Sequence, residues 1–298
     1  MQTPQIKAKK LAKKIGLNAD LYLKREDLHT LASHKGRSIP LMIKKHAEEG
    51  WEKFCISSSG NAALAAAYYI KQLNKGGKNI LTLQIFVGKN IDAQKLKLIK
   101  KIAGKNKFIS ISMVDNPKQT AFQTEKNGLA KNLRQSTDDS ALEGYAELAK
   151  ELAKIKNLSA VFIPTSSGTT AQGLHAGFLK LGINPQIHIV QTAACHPIVL
   201  LVNADEESDA AKTGSSVASA IVDKIAHRKG EVFEAIKSSS GGAWIATDEQ
   251  IIGAVNLVKN AEKIKISPNS ALSIAGLIRA IKNNRTFDSP VVCLITGR

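Results

Sequence analysis

The sequence predicts an α/β protein built on two open, twisted, mostly parallel sheets with flanking helices. Three observations predict it. Short apolar, strand-like runs alternate with helix-period segments from end to end, the order that produces parallel strands buried on both faces. Of the 298 residues, 43% are hydrophobic and 5% aromatic, enough to bury one large core or two adjoining ones. No repeat of solenoid length and no linker interrupts the alternation.

The elements follow in order. Ile6, Leu11 and Ile15 among lysines, stopped by Gly16, predict a short helix over Ile6–Ile15. Leu21–Leu23 reads as a strand. Ile39, Met42, Ile43 and His46 recur at helical spacing and Gly50 closes that helix. Phe54–Ser57 is a strand, followed by a turn and an alanine-rich helix reaching Gly76-Gly77. Ile80–Val87 is a strand, Ile91–Ala103 a helix stopped by Gly104, Phe108–Met113 a strand, and Pro117–Leu133 mostly helix. Ser140-x-x-Glu143 matches a capping box opening a helix to about Lys154. Ala160–Ile163 is a buried strand, Pro164–Thr169 a loop of small residues, and the helix after it ends at Gly182. Ile187–Val190 is a strand and Asn203–Ser216 a polar loop. Thr247-x-x-Gln250 is a second capping box, Ser267-Pro268 a third helix start, and Val291–Ile295 the closing strand.

Composition excludes several classes. The longest apolar run, Ala62–Ile70, is far short of the ~20 residues that span a membrane. The lysine-rich start is not followed by the apolar stretch of a secretory signal. Cys55, Cys195 and Cys293 are too dispersed for a disulfide framework or a metal clip, and the histidines form no metal-binding pair. A cytoplasmic, reduced protein without a metal is expected. The net charge of +17 comes mainly from dispersed lysines. A nucleic-acid face would show a clustered stripe with arginine and aromatic residues, so no nucleic-acid partner is expected; positive potential that attracts an anionic substrate is the remaining functional reading.

Sites in open α/β sheets form in the loops leaving the carboxyl ends of strands. Four such loops carry unusual chemistry here. Ala32-Ser33-His34-Lys35-Gly36-Arg37 places a lysine at a helix start, where positive charge is disfavoured, which suits an amine that must react with an aldehyde. Ser57-Ser58-Ser59-Gly60-Asn61 offers N–H groups and hydroxyls for a carboxylate or phosphate, or simple N-capping. Thr165-Ser166-Ser167-Gly168-Thr169 is a hydroxyl-lined turn before a helix, with neither a Walker lysine nor the paired glycines of a dinucleotide fingerprint. Ile295-Thr296-Gly297 ends an apolar strand. Each has an ordinary explanation by itself; their order and spacing discriminate.

Leu21-Tyr22-Leu23-Lys24-Arg25-Glu26-Asp27-Leu28 followed by Ser33-x-Lys35-x-Arg37, then Ser58–Asn61, Pro164–Thr169 and Ile295–Gly297, resembles the fold-type II, tryptophan-synthase-β-like family of pyridoxal-phosphate (PLP) enzymes. Within it, Cys55–Tyr69, Gly144–Ala149, Ser267–Ala271 and Cys293–Gly297 look most like threonine synthases. The resemblance implies PLP as cofactor, Lys35 as the lysine that holds it covalently and as the base at the substrate α-carbon, and Asn61 on the ring hydroxyl. It implies Ser58, Ser59, Gly60 and Asn61 around the substrate carboxylate, Thr165, Ser166, Ser167, Gly168 and Thr169 around the cofactor phosphate, and Thr296 facing the pyridine nitrogen. A large PLP-binding domain of residues 1–36 and 134–298 and a small mobile domain of residues 37–133 are expected, as is a homodimer acting on a small amino-acid substrate. The implied activity is a carbon–oxygen lyase of amino-acid biosynthesis that eliminates phosphate from O-phosphohomoserine and adds water. A serine/threonine dehydratase is the alternative, and His34 and Gly36, where the family usually has Phe and Asp, motivate a second: a degenerate PLP-binding protein.

Overall fold

The computed structural model describes residues 2–76, 80–104, 106–203 and 214–297. Its strands are β1 (Gln5–Lys7), β2 (Leu21–Arg25), β3 (Lys53–Ser57), β4 (Thr82–Gly88), β5 (Ile109–Val114), β6 (Lys131–Asn132), β7 (Ala160–Pro164), β8 (Gln186–Thr192), β9 (Gly242–Ala246) and β10 (Val291–Ile295). Its helices are α1 (Lys9–Ile15), α2 (Lys35–Glu48), α3 (Asn61–Leu73), α4 (Ala93–Ala103), α5 (Pro117–Lys126), α6 (Ser140–Leu152), α7 (Thr169–Lys180), α8 (Pro197–Val202), α9 (Lys229–Ser238), α10 (Asp248–Glu262) and α11 (Pro268–Lys282). The chain forms two compact units, one of Met1–His29 with Tyr145–Arg298, the other of Thr30–Gly144. Among the described residues, no helix is long and apolar enough to cross a membrane.

In the first unit a six-stranded sheet runs β1-β2-β10-β7-β8-β9. Every pairing in it is parallel except β1 with β2. Strands β7, β9 and β10 are buried at every position, as parallel strands with helices on both faces must be. One core cluster gathers Leu21, Leu23, Phe162, Leu272 and Cys293; another gathers Tyr145, Val161, Phe178, Ile189 and Leu294. In the second unit β5-β4-β3-β6 form an all-parallel sheet, with a core of Ile39, Phe54, Ala66, Leu83 and Ile109 on one side.

The start of the chain differs from expectation. Residues 5–7 are a strand, not helix, because they pair antiparallel with β2, and a helix over 9–15 follows. The segment expected to be helical to Leu133 is helical only to Lys126; residues 131–132 then add to β3 as β6. Strand β9 and helices α8 and α9 have no counterpart in the reading of periodicity; Gly241-Gly242 hides the first, and α8 has only six residues. The polar loop expected over 203–216 lies mostly outside the described residues.

The capping signals divide. Thr247 and Gln250 form the reciprocal capping box, and Ser267 caps α11 with Pro268 in its first turn. Ser140 does not cap α6. It lies inside the helix, and both its N–H (2.9 Å) and its hydroxyl (2.6 Å) donate to Asp138 Oδ1. Burial would raise the Asp138 carboxyl, but the bonds from Ser140 and from His46 (2.6 Å) outweigh it and hold it below its ordinary value.

One buried histidine gives an acid-stability prediction. His188, in β8, is fully buried and stacks on Phe162 with ring centroids 4.4 Å apart. The Trp244 indole donates to its Nδ1 (3.1 Å), so Nε2 carries the proton and donates to Gln186 Oε1 (2.9 Å). Burial, reinforced by the charge of Arg285, lowers the imidazole pKa from 6.5 to about 3. The folded protein therefore binds a proton here less readily than the unfolded chain, so the contribution is complete above pH 6.5 and is lost as pH falls toward 3. At pH 4.5 this residue alone should cost roughly 2–3 kcal/mol of stability. Urea midpoints at pH 7.5 and 4.5 check it: the drop should shrink in His188→Gln, and an equal drop in both proteins would contradict the assignment.

Candidate active site

Lys35 opens α2, and the turn before it is fixed from several sides. Ala32 adopts a left-handed conformation (φ 60°), uncommon for a residue with a side chain. The hydroxyl of fully buried Ser33 accepts the Lys35 N–H (3.3 Å), and the Ser33 carbonyl accepts that of Gly36 (3.0 Å). Pro40 lies inside the helix, so the Gly36 carbonyl lacks its intrahelical donor. One turn on, Ser38 is hydrogen-bonded by the Gln135 amide. Gly144, in α6, completes the clamp: a Cβ there would lie 2.2 Å from the Arg37 carbonyl oxygen, so only glycine allows this approach.

In the same unit β3 delivers Ser58–Asn61. Gly60 is the N-cap of α3, its N–H donates to the Ser58 hydroxyl (3.2 Å), and a Cβ built on it would meet nothing within 4 Å. The backbone there faces open space. A cleft of about 550 Å³ reaches Ser59 and is lined also by Lys89, Lys95, Asp92 and Asp115. Among the described residues, the Lys35 amine, the Ser59 hydroxyl and the Asn61 amide have no hydrogen-bond partner. Folding leaves these three polar groups uncommitted while tying down the backbone that carries them.

In the other unit β7 delivers Thr165–Thr169. The Thr165 hydroxyl turns back to the Ile163 carbonyl (2.8 Å) and its N–H bonds the Val190 carbonyl (2.9 Å). Ser166 Oγ accepts the N–H groups of Val222 and Asp223, both at 3.2 Å. Ser167 and Thr169 hydroxyls lie 3.1 Å apart. Gly168 caps α7 at φ 96°, where a Cβ would come within 2.6 Å of the Val232 side chain; glycine is required for conformation and for space. The turn thus gathers the Ser166, Ser167 and Thr169 hydroxyls at the amino end of a 12-residue helix, with the two serines half-buried and no carboxylate in the turn. That donor set fits a phosphate.

Thr296, buried at the end of β10, lies 3.4 Å from the Ser270 hydroxyl. Ser270 also donates to the Gly297 carbonyl (2.8 Å) and accepts the Gly297 N–H (3.2 Å), and Ser267 adds a bond to that carbonyl (2.7 Å). The start of α11 therefore fixes the strand end that carries Thr296. Two supports were invisible in the sequence. Fully buried Gln191 donates to the Thr165 and Ser166 carbonyls (3.3 and 3.4 Å) while its oxygen accepts the N–H groups of Ile198 and Val199 (2.9 and 3.1 Å). Asn269 accepts the Ala220 N–H (2.9 Å), helping to hold the segment that reaches Ser166. A buried glutamine within an apolar strand was the only available hint of the first.

The family model described as pyridoxal-phosphate dependent enzyme matches residues 1–297. This chain belongs to that family. The PLP-dependent enzyme is 26% identical to the threonine synthase of Methanosarcina acetivorans, over 99% of this chain and 74% of that one. It is 23% identical to the L-serine dehydratase/L-threonine deaminase of Bos taurus, over 99% of this chain and 89% of that one. Among solved structures, threonine deaminase isoform 2 from Solanum lycopersicum superposes with a TM-score of 0.77 at 21% identity, over 100% of this chain and 79% of that one. The fold is the fold-type II PLP fold, and the cofactor of the enzyme is pyridoxal 5′-phosphate. Its phosphate and aldehyde need a donor-rich turn without carboxylates and a lysine amine with no other partner. The residues present supply both.

Proposed function

We propose that this enzyme is a threonine-synthase-like lyase that eliminates phosphate from O-phosphohomoserine and adds water, with Lys35 as the residue that carries the cofactor. The observation that carries the reading is the set of polar side chains left uncommitted at Lys35, Ser59 and Asn61 on an otherwise fastened backbone. PLP supplies an electron sink for charge that develops at the substrate α-carbon. The Lys35 amine would hold the cofactor and would take the α-proton and then a β-proton, whose electron pair expels the γ-phosphate; it would return a proton to Cγ before water adds at Cβ. The Ser58 and Ser59 hydroxyls with the Gly60 N–H bind the substrate carboxylate, and the Asn61 amide donates to the ring oxygen. Ser167, Gly168 and Thr169 hold the cofactor phosphate. The hydroxyl of Ser166 keeps one proton to donate there, having accepted two backbone N–H groups.

Thr296 presents a neutral hydroxyl to the ring nitrogen. A carboxylate there would hold a proton on that nitrogen and an arginine would exclude one; a hydroxyl does neither strongly. Charge is then less delocalised into the ring, which favours elimination and replacement over transamination. A second anionic group on the substrate would have to draw Lys89 away from Asp115, its partner at 2.9 Å in the cleft at Ser59. The dehydratase reading keeps every one of the other roles without that demand, and the bovine relative favours it. Holoenzyme given O-phosphohomoserine should release inorganic phosphate and threonine in equal amounts. Product from serine or threonine, with none from O-phosphohomoserine, would replace the first reading by the second.

A further inference from the structure

A parallel sheet normally hides both faces under helices; in the sheet of the Thr30–Gly144 unit one face is sealed by a large core and the other is covered only in part. Along β4 and β5 apolar and polar residues alternate. Leu83, Ile85, Ile109 and Ile111 face the core, so Thr82, Gln84, Ser110 and Ser112 face the other way. On that side lies α5, whose contact with the sheet rests on a small cluster of Cys55, Phe86, Ala121 and Ala130. Thr120 and Thr124 stand where larger side chains would seal such a contact, and a hollow of about 420 Å³ remains beneath them.

The lining of this hollow is chemically one-sided. Its charged groups are Lys53 and Lys107, with no aspartate or glutamate. Gln84 and Thr82 add polar groups on its floor, and the Phe108 ring, with the Lys107 amine 5.1 Å from its centroid, gives a flat apolar wall. Glu125, on α5, pairs with Lys131 at 2.8 Å instead. Lys53 begins β3 and Lys107 precedes β5, two strand spacings away, roughly 10 Å. The hollow lies at the amino ends of these strands, whereas Ser58–Asn61 leave the carboxyl end of β3.

We propose that this hollow is a binding site for a small organic anion, a carboxylate or phosphate on a flat apolar body, separate from the residues assigned to the reaction. The apolar body lies against Phe108 and the floor of the sheet, and the anionic group is taken by Lys53 and Lys107. Anilinonaphthalene sulfonate, which has this shape and charge, is the probe, titrated by fluorescence into the holoenzyme, with benzoate and phenyl phosphate as competitors that separate the carboxylate from the phosphate class. One saturable site per chain is expected. It should weaken by about 10-fold or more in Lys53→Glu/Lys107→Glu and in Thr124→Phe, which fills the hollow, and stay unchanged in Lys259→Glu/Lys282→Glu, which alters the net charge equally. Equal affinity in all these proteins, displacement by neither competitor, or fluorescence that rises without saturation would overturn the proposal.

Discussion

Lys35→Ala is expected to reduce turnover by at least about 10³-fold, because one substitution removes both the covalent anchor of the cofactor and the base at the α-carbon. The fold should hardly respond. The side chain is half-buried and makes no hydrogen bond among the described residues, and the turn is held by Ser33, Ser38 and Gly144 through groups the substitution leaves in place. Thermal unfolding should therefore stay close to wild type while the visible absorption of the bound cofactor changes. Borohydride reduction of the wild-type holoenzyme, with peptide mapping, gives the decisive reading. The label should fall on the peptide containing Lys35. A label on another lysine, or full turnover by Lys35→Ala, would remove every catalytic role assigned above.

Lys24→Ala should produce the largest loss of stability. Lys24 lies in β2, fully buried, and its ammonium donates to the Thr3 carbonyl (2.8 Å) and to Glu151 Oε2 (2.5 Å). Glu151, on α6, also accepts the Thr3 N–H (3.2 Å), and the Thr3 hydroxyl donates to Glu26 (2.5 Å). Removing the ammonium leaves the Glu151 carboxylate buried without its cation and opens a gap beside β2, the strand next to the sheet edge. Breaking a buried pair from one side costs about 3–5 kcal/mol. Removing both charges with matched apolar volume, Lys24→Met with Glu151→Leu, should recover most of it, since the pair earns little net stability over a well-packed apolar replacement. Denaturant midpoints of the single and double variants test this, and additive losses would show that the pair is not coupled.

Both predictions bear on how far the sequence could be read. Lys35 was legible as a candidate because a lysine at a helix start, in fixed order with a Ser-Gly-Asn turn, a hydroxyl-lined turn and a Thr-Gly ending, is a pattern of one-dimensional spacing. Lys24 was legible only as part of a signature. The segment Lys24-Arg25-Glu26-Asp27 resembles a charged surface run, yet it is buried, with Arg25 clamped on Asp27 (2.7 and 2.8 Å) and Lys24 on a residue 127 positions away. Nothing local announces that partner.

The sequence by itself determined the class of fold, the strands and helices with strong periodicity, the caps at Thr247 and Ser267, and the loops in which chemistry had to be sought. These depend on residue period and on contacts within a turn or two, which a linear chain records. Only the tertiary structure decided that residues 5–7 become an edge strand, that Asp138 rather than Ser140 holds the start of α6, that Ser166 ties its turn to residues 222 and 223, and that Gln191 braces it from behind. Each of these depends on which backbone N–H or carbonyl is left without a partner after the sheets have assembled. That is settled by pairing between distant segments, and no local pattern encodes it.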